Sequence, residues 1–163
     1  MALSEMRQTD KLDSDSPREA RIEQRLVGRA LTHWAEMRGD QKFPSYSDYL
    51  QQAAPYGDEH IYVINIGDSE ASDEIVSAGK TVEEGFGRSP VGCKAMDVIP
   101  SSVDKGLAFC RTAVALKKPI ADVGRFFNAN GVEICYRSIL LPLSNDQVNV
   151  DHILGAFSFK LMD

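Results

Sequence analysis

Three histidines, three cysteines and a few paired acids are the side chains through which this chain could do chemistry. His33, His60 and His152 lie far apart in the sequence, and none is near Cys93, Cys110 or Cys135. Nucleophilic catalysis needs a base beside the nucleophile and a third group to orient it. No Gly-x-Ser-x-Gly, His-Glu-x-x-His or Cys-Gly-x-Cys-Trp string is present to build such a site. No two histidines stand three or four residues apart, so a dedicated zinc site is not expected. Glu83 and Glu84 are adjacent and point to different faces of a helix, which suits solvated side chains better than an acid–base pair. Gly85-Phe86-Gly87-Arg88 has the glycines of a phosphate loop without its lysine or its strand-to-helix setting, and reads as a hinge. The cysteines show no pairing pattern and read as reduced thiols. No catalytic residue and no metal ligand is assigned. The expectation is a protein without enzymatic activity, and a small α+β enzyme is the alternative.

The aromatic residues offer more. Phe109, Phe126, Phe127, Tyr136, Phe157 and Phe159 are spread over one helical stretch and the last three β-rich stretches. One account makes them core. The other makes some of them the lining of a cavity for an apolar or amphipathic ligand, with Arg125 or Arg137 anchoring a carboxylate or phosphate. Strand alternation places Tyr136 and Arg137 on opposite faces. With Tyr136 inward beside Ile134 and Leu140, Arg137 faces the N-terminal helix. The pocket candidates are Phe109, Phe126, Ile134, Tyr136, Leu140 and Phe157.

These residues sit in a chain of 163 residues with 18 basic and 24 acidic side chains, a formal net charge of −6. That is one domain's length at about 150 residues each, and a domain of this size buries roughly 70% of its unfolded surface. The acidic balance opposes phosphate backbones, so nucleic acid is not an expected partner. Residues 58–104 carry ten acids and three bases, and 105–137 carry six bases and two acids. Apolar runs such as Ile139-Leu140-Leu141-Pro142-Leu143 fall far short of the ~18 residues of a membrane span, so no membrane insertion is expected. Residues 1–16 lack an apolar signal region and read as a flexible tail, which makes the cytoplasm the expected compartment.

Ser16-Pro17-Arg18-Glu19 is a capping box that opens a helix over 17–40, closed by Gly39. Its apolar stripe Ile22, Leu26, Ala30, Trp34 and Met37 either packs on the chain's own sheet or forms a twofold interface with a second copy. Ser47 can cap a short helix to Gln52. Residues 60–66 and 74–78 read as a strand hairpin, and 79–100 as short helical pieces broken by glycine and proline. A second amphipathic helix, preceded by Ser101 and Ser102, ends before Pro119. Three strands follow over 120–128, 132–142 and 152–161, the first two joined by an Asn128-Ala129-Asn130-Gly131 turn. The fold class is α+β, a five-stranded antiparallel sheet with a helical cap and an N-terminal amphipathic helix, the domain proper running over 41–163.

That element order resembles the PAS sensory fold. The local string resembles the stand-alone, single-domain PAS proteins of the α-proteobacterial type. Trp34, Phe43-Pro44-Ser45, Tyr136-Arg137 with Leu141-Pro142-Leu143-Ser144, and Ile153-Leu154-Gly155-Ala156 carry the likeness, which covers about Ala20 to Leu161. The resemblance implies a small pocket between sheet and cap, a dimerising N-terminal helix, and a regulatory role through a signalling partner such as a kinase. It also sets cofactor expectations. Haem in this fold takes a histidine from the helix before the third strand, and Val103 to Lys118 has none. A flavin photocycle needs a cysteine in an Asn-Cys-Arg-Phe-Leu-Gln-like setting, which Gly92-Cys93-Lys94 does not supply. Haem and flavin are therefore not expected and no cofactor is assigned, while the pocket leaves room for an unidentified small molecule. The alternative within the family is a ligand-free dimeric adaptor for a kinase or polarity protein.

Overall fold

Pro17–Arg38 forms one long helix, α1. Gly39 closes it in the left-handed region at φ 57°, its N–H donating to the Ala35 carbonyl at 3.2 Å. The computed structural model describes residues 17–52, 54, 56–98 and 109–162, the side chains of 17–24 and of 109 excepted. The expected tail over 1–16, the Ser16 cap and the side chain of Ile22 lie outside the described residues. Leu26, Val27, Ala30, Trp34 and Met37 are all buried within this single chain. The helix is thus part of the core.

A short helix α2 spans Tyr46–Gln51, capped by Ser45 and not, as its sequence suggested, by Ser47. Ser45 is extended, and Asp48 stands three residues on to complete a reciprocal box. The Ser45 Oγ accepts from the Asp48 N–H at 3.0 Å, and the Asp48 carboxylate accepts from the Ser45 N–H at 3.1 Å. Ser47 falls in the first turn, where its hydroxyl meets Gln51 at 3.3 Å.

Five strands follow as expected in number and type: β1 Ile61–Asn65, β2 Glu74–Ala78, β3 Ile120–Phe127, β4 Glu133–Leu143 and β5 His152–Leu161. Between β2 and β3 lie the helices α3 Lys80–Phe86, α4 Ala95–Val98 and α5 Phe109–Leu116. The expected start of the last helix, 101–108, is outside the described residues. All strand pairs are antiparallel, in the order β2-β1-β5-β4-β3. The last strand therefore enters between the first hairpin and β4, which makes one continuous layer. The turn between β3 and β4 uses Asn128 and Gly131 as expected. Gly131 has φ 74°, and the Asn128 side chain accepts from the N–H groups of Asn130 and Val132.

Register sorts the side chains onto two faces. Tyr62 opposes Gly155, Tyr136 opposes Gly124 and Phe159, and Ile134 opposes Phe126, so these share the face that α3 covers. Val63, Cys135, Arg137, Ile139, Leu141, Leu154 and Ala156 share the other, and all are buried there. α1 lies across β4 and β5 and covers that second face. Its seat is polar at one end. The Trp34 indole N–H donates to the Pro142 carbonyl at 2.8 Å across 108 residues of sequence. Below it, the Gln147 side chain accepts from the Phe43 N–H and donates to the Phe43 carbonyl, both at 3.0 Å. The Ser144 N–H donates to the Pro44 carbonyl at 3.0 Å. The β4–β5 turn and the chain leaving α1 are thus one hydrogen-bonded unit.

Trp34→Phe keeps an aromatic ring but leaves the Pro142 carbonyl without its donor. It should cost about 1–3 kcal/mol in urea unfolding. In the same turn, the N–H groups of Asn149 and Val148 hold the Asp146 carboxyl down at about 2. Its contribution is then full above the ordinary carboxylate pKa of about 4 and is lost as pH falls through about 2. Asp146→Asn should lower Tm at neutral pH, and the gap from the parent chain should close as the pH is taken down through that window.

Candidate functional site

Three glycines allow aromatic rings to gather on the α3 face of the sheet. A Cβ at Gly155 would collide with the Tyr62 ring, one at Gly85 would meet Phe157 at 2.6 Å, and one at Gly124 would meet Tyr136 at 3.2 Å. The rings then pack against each other. Phe86 stands edge-on to Phe157 at 5.2 Å and to Phe126 at 5.9 Å. Tyr136 lies edge-on to Phe126 at 5.7 Å and stacks on Phe157 at 6.0 Å. These are favourable aromatic geometries. The Tyr136 hydroxyl donates to the Asp122 carboxylate, and both residues are buried. Burial, reinforced by Asp122, pushes the Tyr136 phenol far above its ordinary pKa, and burial does the same to Tyr62. Neither ionises in the folded protein.

At one end of this cluster opens a pocket of about 220 Å3, lined by Phe86, Phe126, Asn128, Arg88, Asp97 and Val98, among others. The β3–β4 turn is tied to α3 there. The Ala129 N–H donates to the Phe86 carbonyl at 3.0 Å, and the Asn128 amide donates to the Gly85 carbonyl at 3.2 Å. Gly87, at φ 79°, ends α3 and turns the chain toward Arg88, whose guanidinium donates to the Cys93 sulfur at 3.0 Å. The pocket thus has an aromatic floor with one cation and one anion on its wall, the pattern of a site for a small ligand with an apolar body and a polar end.

Of the pocket candidates from sequence, Phe126 lines this opening, and Tyr136 and Phe157 stand behind it. Ile134 and Leu140 share their face but are sealed in the core, and the side chain of Phe109 is outside the described residues. One account made Arg125 or Arg137 the anchor, while alternation with an inward Tyr136 turned Arg137 toward the N-terminal helix, which is where it lies. Register puts both on the opposite face, since they alternate with Phe126 and Tyr136 along their strands, and Arg137 is buried there. The cation at the pocket is Arg88 instead. Its signal in the sequence was the Gly85-Phe86-Gly87 turn that delivers it.

A second polar device fastens the cap. Asp73, wholly buried, accepts from Arg111 Nε at 2.7 Å and from the Gly67 N–H at 2.9 Å, and Arg111 also donates to the Gly67 carbonyl at 3.2 Å. This clamp joins α5 to the connection between β1 and β2. Beside it, burial and then Asp73 push the Cys110 thiol up to about 11, so it stays protonated. His60 Nδ1 lies 3.1 Å from the Phe157 carbonyl, and His152 pairs with Asp151 at 2.7 Å. Cys93, Cys110 and Cys135 are all free. Among the described residues no group of three His, Cys, Asp or Glu side chains could hold a metal ion, and no helix is long and apolar enough to cross a membrane.

No protein-family model matches the chain, and no curated protein does. Solved structures do. The LOV domain of the blue-light photoreceptor Aureochrome1, in its light state, superposes with a TM-score of 0.52 at 11% identity, over 73% of this chain and 90% of that one. The fold is PAS-type. The LOV domain of the Erythrobacter litoralis EL346 blue-light activated histidine kinase gives 0.52 at 10% identity, over 63% of this chain and 95% of that one. An RNA-binding light-oxygen-voltage receptor gives 0.51 at 20% identity, over 72% and 32%. The chain also matches 57% of the length of the Rhodobacter sphaeroides LOV protein, at 17% identity and a TM-score of 0.48.

These neighbours correct one expectation. Flavin was set aside because the Cys93 setting lacks a photocycle motif, yet the domains that share this PAS fold are LOV domains, one of them studied through a flavin analogue at a TM-score of 0.51. A missing cysteine motif is no ground for excluding flavin from such a fold. The rings of Tyr62, Phe86 and Phe157 occupy the sheet face beneath the 220 Å3 opening.

Removing one partner of a buried ion pair strands the other. Arg111→Met should cost about 3 kcal/mol in urea unfolding, and combining it with Asp73→Ala should cost clearly less than the two single changes added together.

Proposed function

We propose that this protein is a PAS-type regulatory module of the cytoplasm. It takes a small molecule in the pocket between Phe86, Phe126 and Arg88, performs no catalysis, and passes the signal to a protein partner such as a kinase. The observation that carries the reading is the pocket's position. It opens on the aromatic cluster that rests on β4, and β4 has α1 on its other face. Tyr136 and Arg137 are consecutive residues facing these two sides. A ligand that moves Phe126 or Tyr136 displaces the strand on which α1 is seated, and α1 or its exposed surface then meets the partner. A domain of this fold within the Erythrobacter litoralis histidine kinase supports a kinase as the class of partner.

One observation favours an adaptor that needs no ligand. Phe127 is 70% exposed and Leu161 60%, with Val132 beside them at the same end of the sheet. Such an apolar end suits contact with a second copy or a partner.

Native mass spectrometry of the full chain separates the two readings. The sensor reading expects a mass above that of the 18.0 kDa chain, lost in Ala129→Phe, which fills the pocket mouth. A bare chain whose thermal stability no small carboxylate or aromatic metabolite raises would defeat it. The adaptor reading expects a dimer that Phe127→Ser dissociates.

A further inference from the structure

α1 turns its apolar stripe to the sheet, and the flank beside that stripe has another chemistry. Arg25, Arg29 and His33 recur at every fourth position, so they stand in one row along the helix. With Gly28, Thr32 and Glu36 they line a groove of about 510 Å3, within the ~300–1,000 Å3 of small-molecule sites. The space over Gly28 is open, since a Cβ there would meet nothing within 4 Å.

His33, which lines the groove, and Tyr56 behind it each carry an orphaned polar atom. His33 is 5% exposed, and its Nδ1 is buried without a hydrogen-bond partner. The Tyr56 ring, from the turn after α2, stands edge-on to it with centroids 6.0 Å apart, and the Tyr56 hydroxyl is also buried without a partner. A buried polar atom left unpaired is costly, so two side by side leave room for a ligand that pairs with both. Burial lowers the His33 pKa against the pull of Glu36, which favours the neutral ring, and burial raises the Tyr56 phenol, with Asp58 adding to the shift and Arg29 opposing it. Arg25 adds a further positive charge at the exposed wall.

We infer that this groove binds a small molecule ending in an oxyanion, either a phosphate or a carboxylate. Such a group supplies what both orphans lack. The Tyr56 O–H and a neutral His33, as its Nδ1–H tautomer, each donate to one of its oxygens once the rings turn toward it, and Arg25 presents a guanidinium fork of the matching geometry with the Arg29 charge beside it. The groove lies on the α1 side of the sheet, apart from the aromatic pocket, and does not depend on what that pocket takes.

The full chain, labelled for imidazole nitrogen NMR, is titrated with inorganic phosphate and separately with acetate, each against chloride at equal ionic strength. The His33 signal should shift saturably with one of the two while His60 and His152 stay in place. The dissociation constant should rise at least tenfold in the exposed-arginine variant Arg25→Gln/Arg29→Gln, and it should also rise in Tyr56→Phe. Response to phosphate alone identifies a phosphorylated ligand, and response to acetate a carboxylate. A His33 signal that neither probe saturates, or that shifts equally in the arginine variant, overturns the inference.

Discussion

Strand β4 imposes the constraint that the rest of the molecule satisfies. Ten successive residues, from Ile134 to Leu143, are buried. A strand apolar on both faces cannot lie at an edge or against water, so it needs a strand on each side and a layer above and below. β3 and β5 supply the first, and α1 with the α3 cap supplies the second. Each large aliphatic side chain so covered gains about 1.5–3 kcal/mol. That is why the N-terminal helix is built into the fold, with Val27 and Ala30 fully buried, although its sequence allowed an independent dimerising arm.

Local signals made most of the elements legible. Gly39, the Asn128–Gly131 turn, and the alternation that separates Tyr136 from Arg137 each act within a few residues, and each stands where its chemistry demands. The Ser45 cap was missed because Ser47 also offers a hydroxyl, and the choice between them falls to Asp48. What joins the elements was illegible. Arg111 meets Asp73 across 38 residues and Gln147 meets Phe43 across 104, and no periodicity encodes either pairing. The candidate site shows the same division. Its rings could be named from strand spacing, but Arg88, Asp97 and Asn128 reach the pocket only through the way α3, α4 and the β3–β4 turn converge.

Polar burial follows one rule in two places. Asp73 receives Arg111 and the Gly67 N–H, and Asp122 receives the Tyr136 hydroxyl. Each carboxylate sits where two elements meet and orients them, a role apolar contacts cannot perform because they lack direction. One carboxylate holds the cap to the first hairpin, and the other holds the aromatic cluster to β3. The pocket lies at the far end of that cluster, bounded by groups whose positions these bonds determine.

The two margins of the sheet are unlike. Along β2, the segment 92–95 runs close by: the Gly92 N–H bonds the Ile75 carbonyl, the Ile75 N–H bonds the Cys93 carbonyl, and the Ala95 N–H bonds the Asp73 carbonyl. Among the described residues β3 pairs with β4 alone. The segment 92–95 therefore does for β2 what a neighbouring strand would, and strand addition at that margin would first have to displace it.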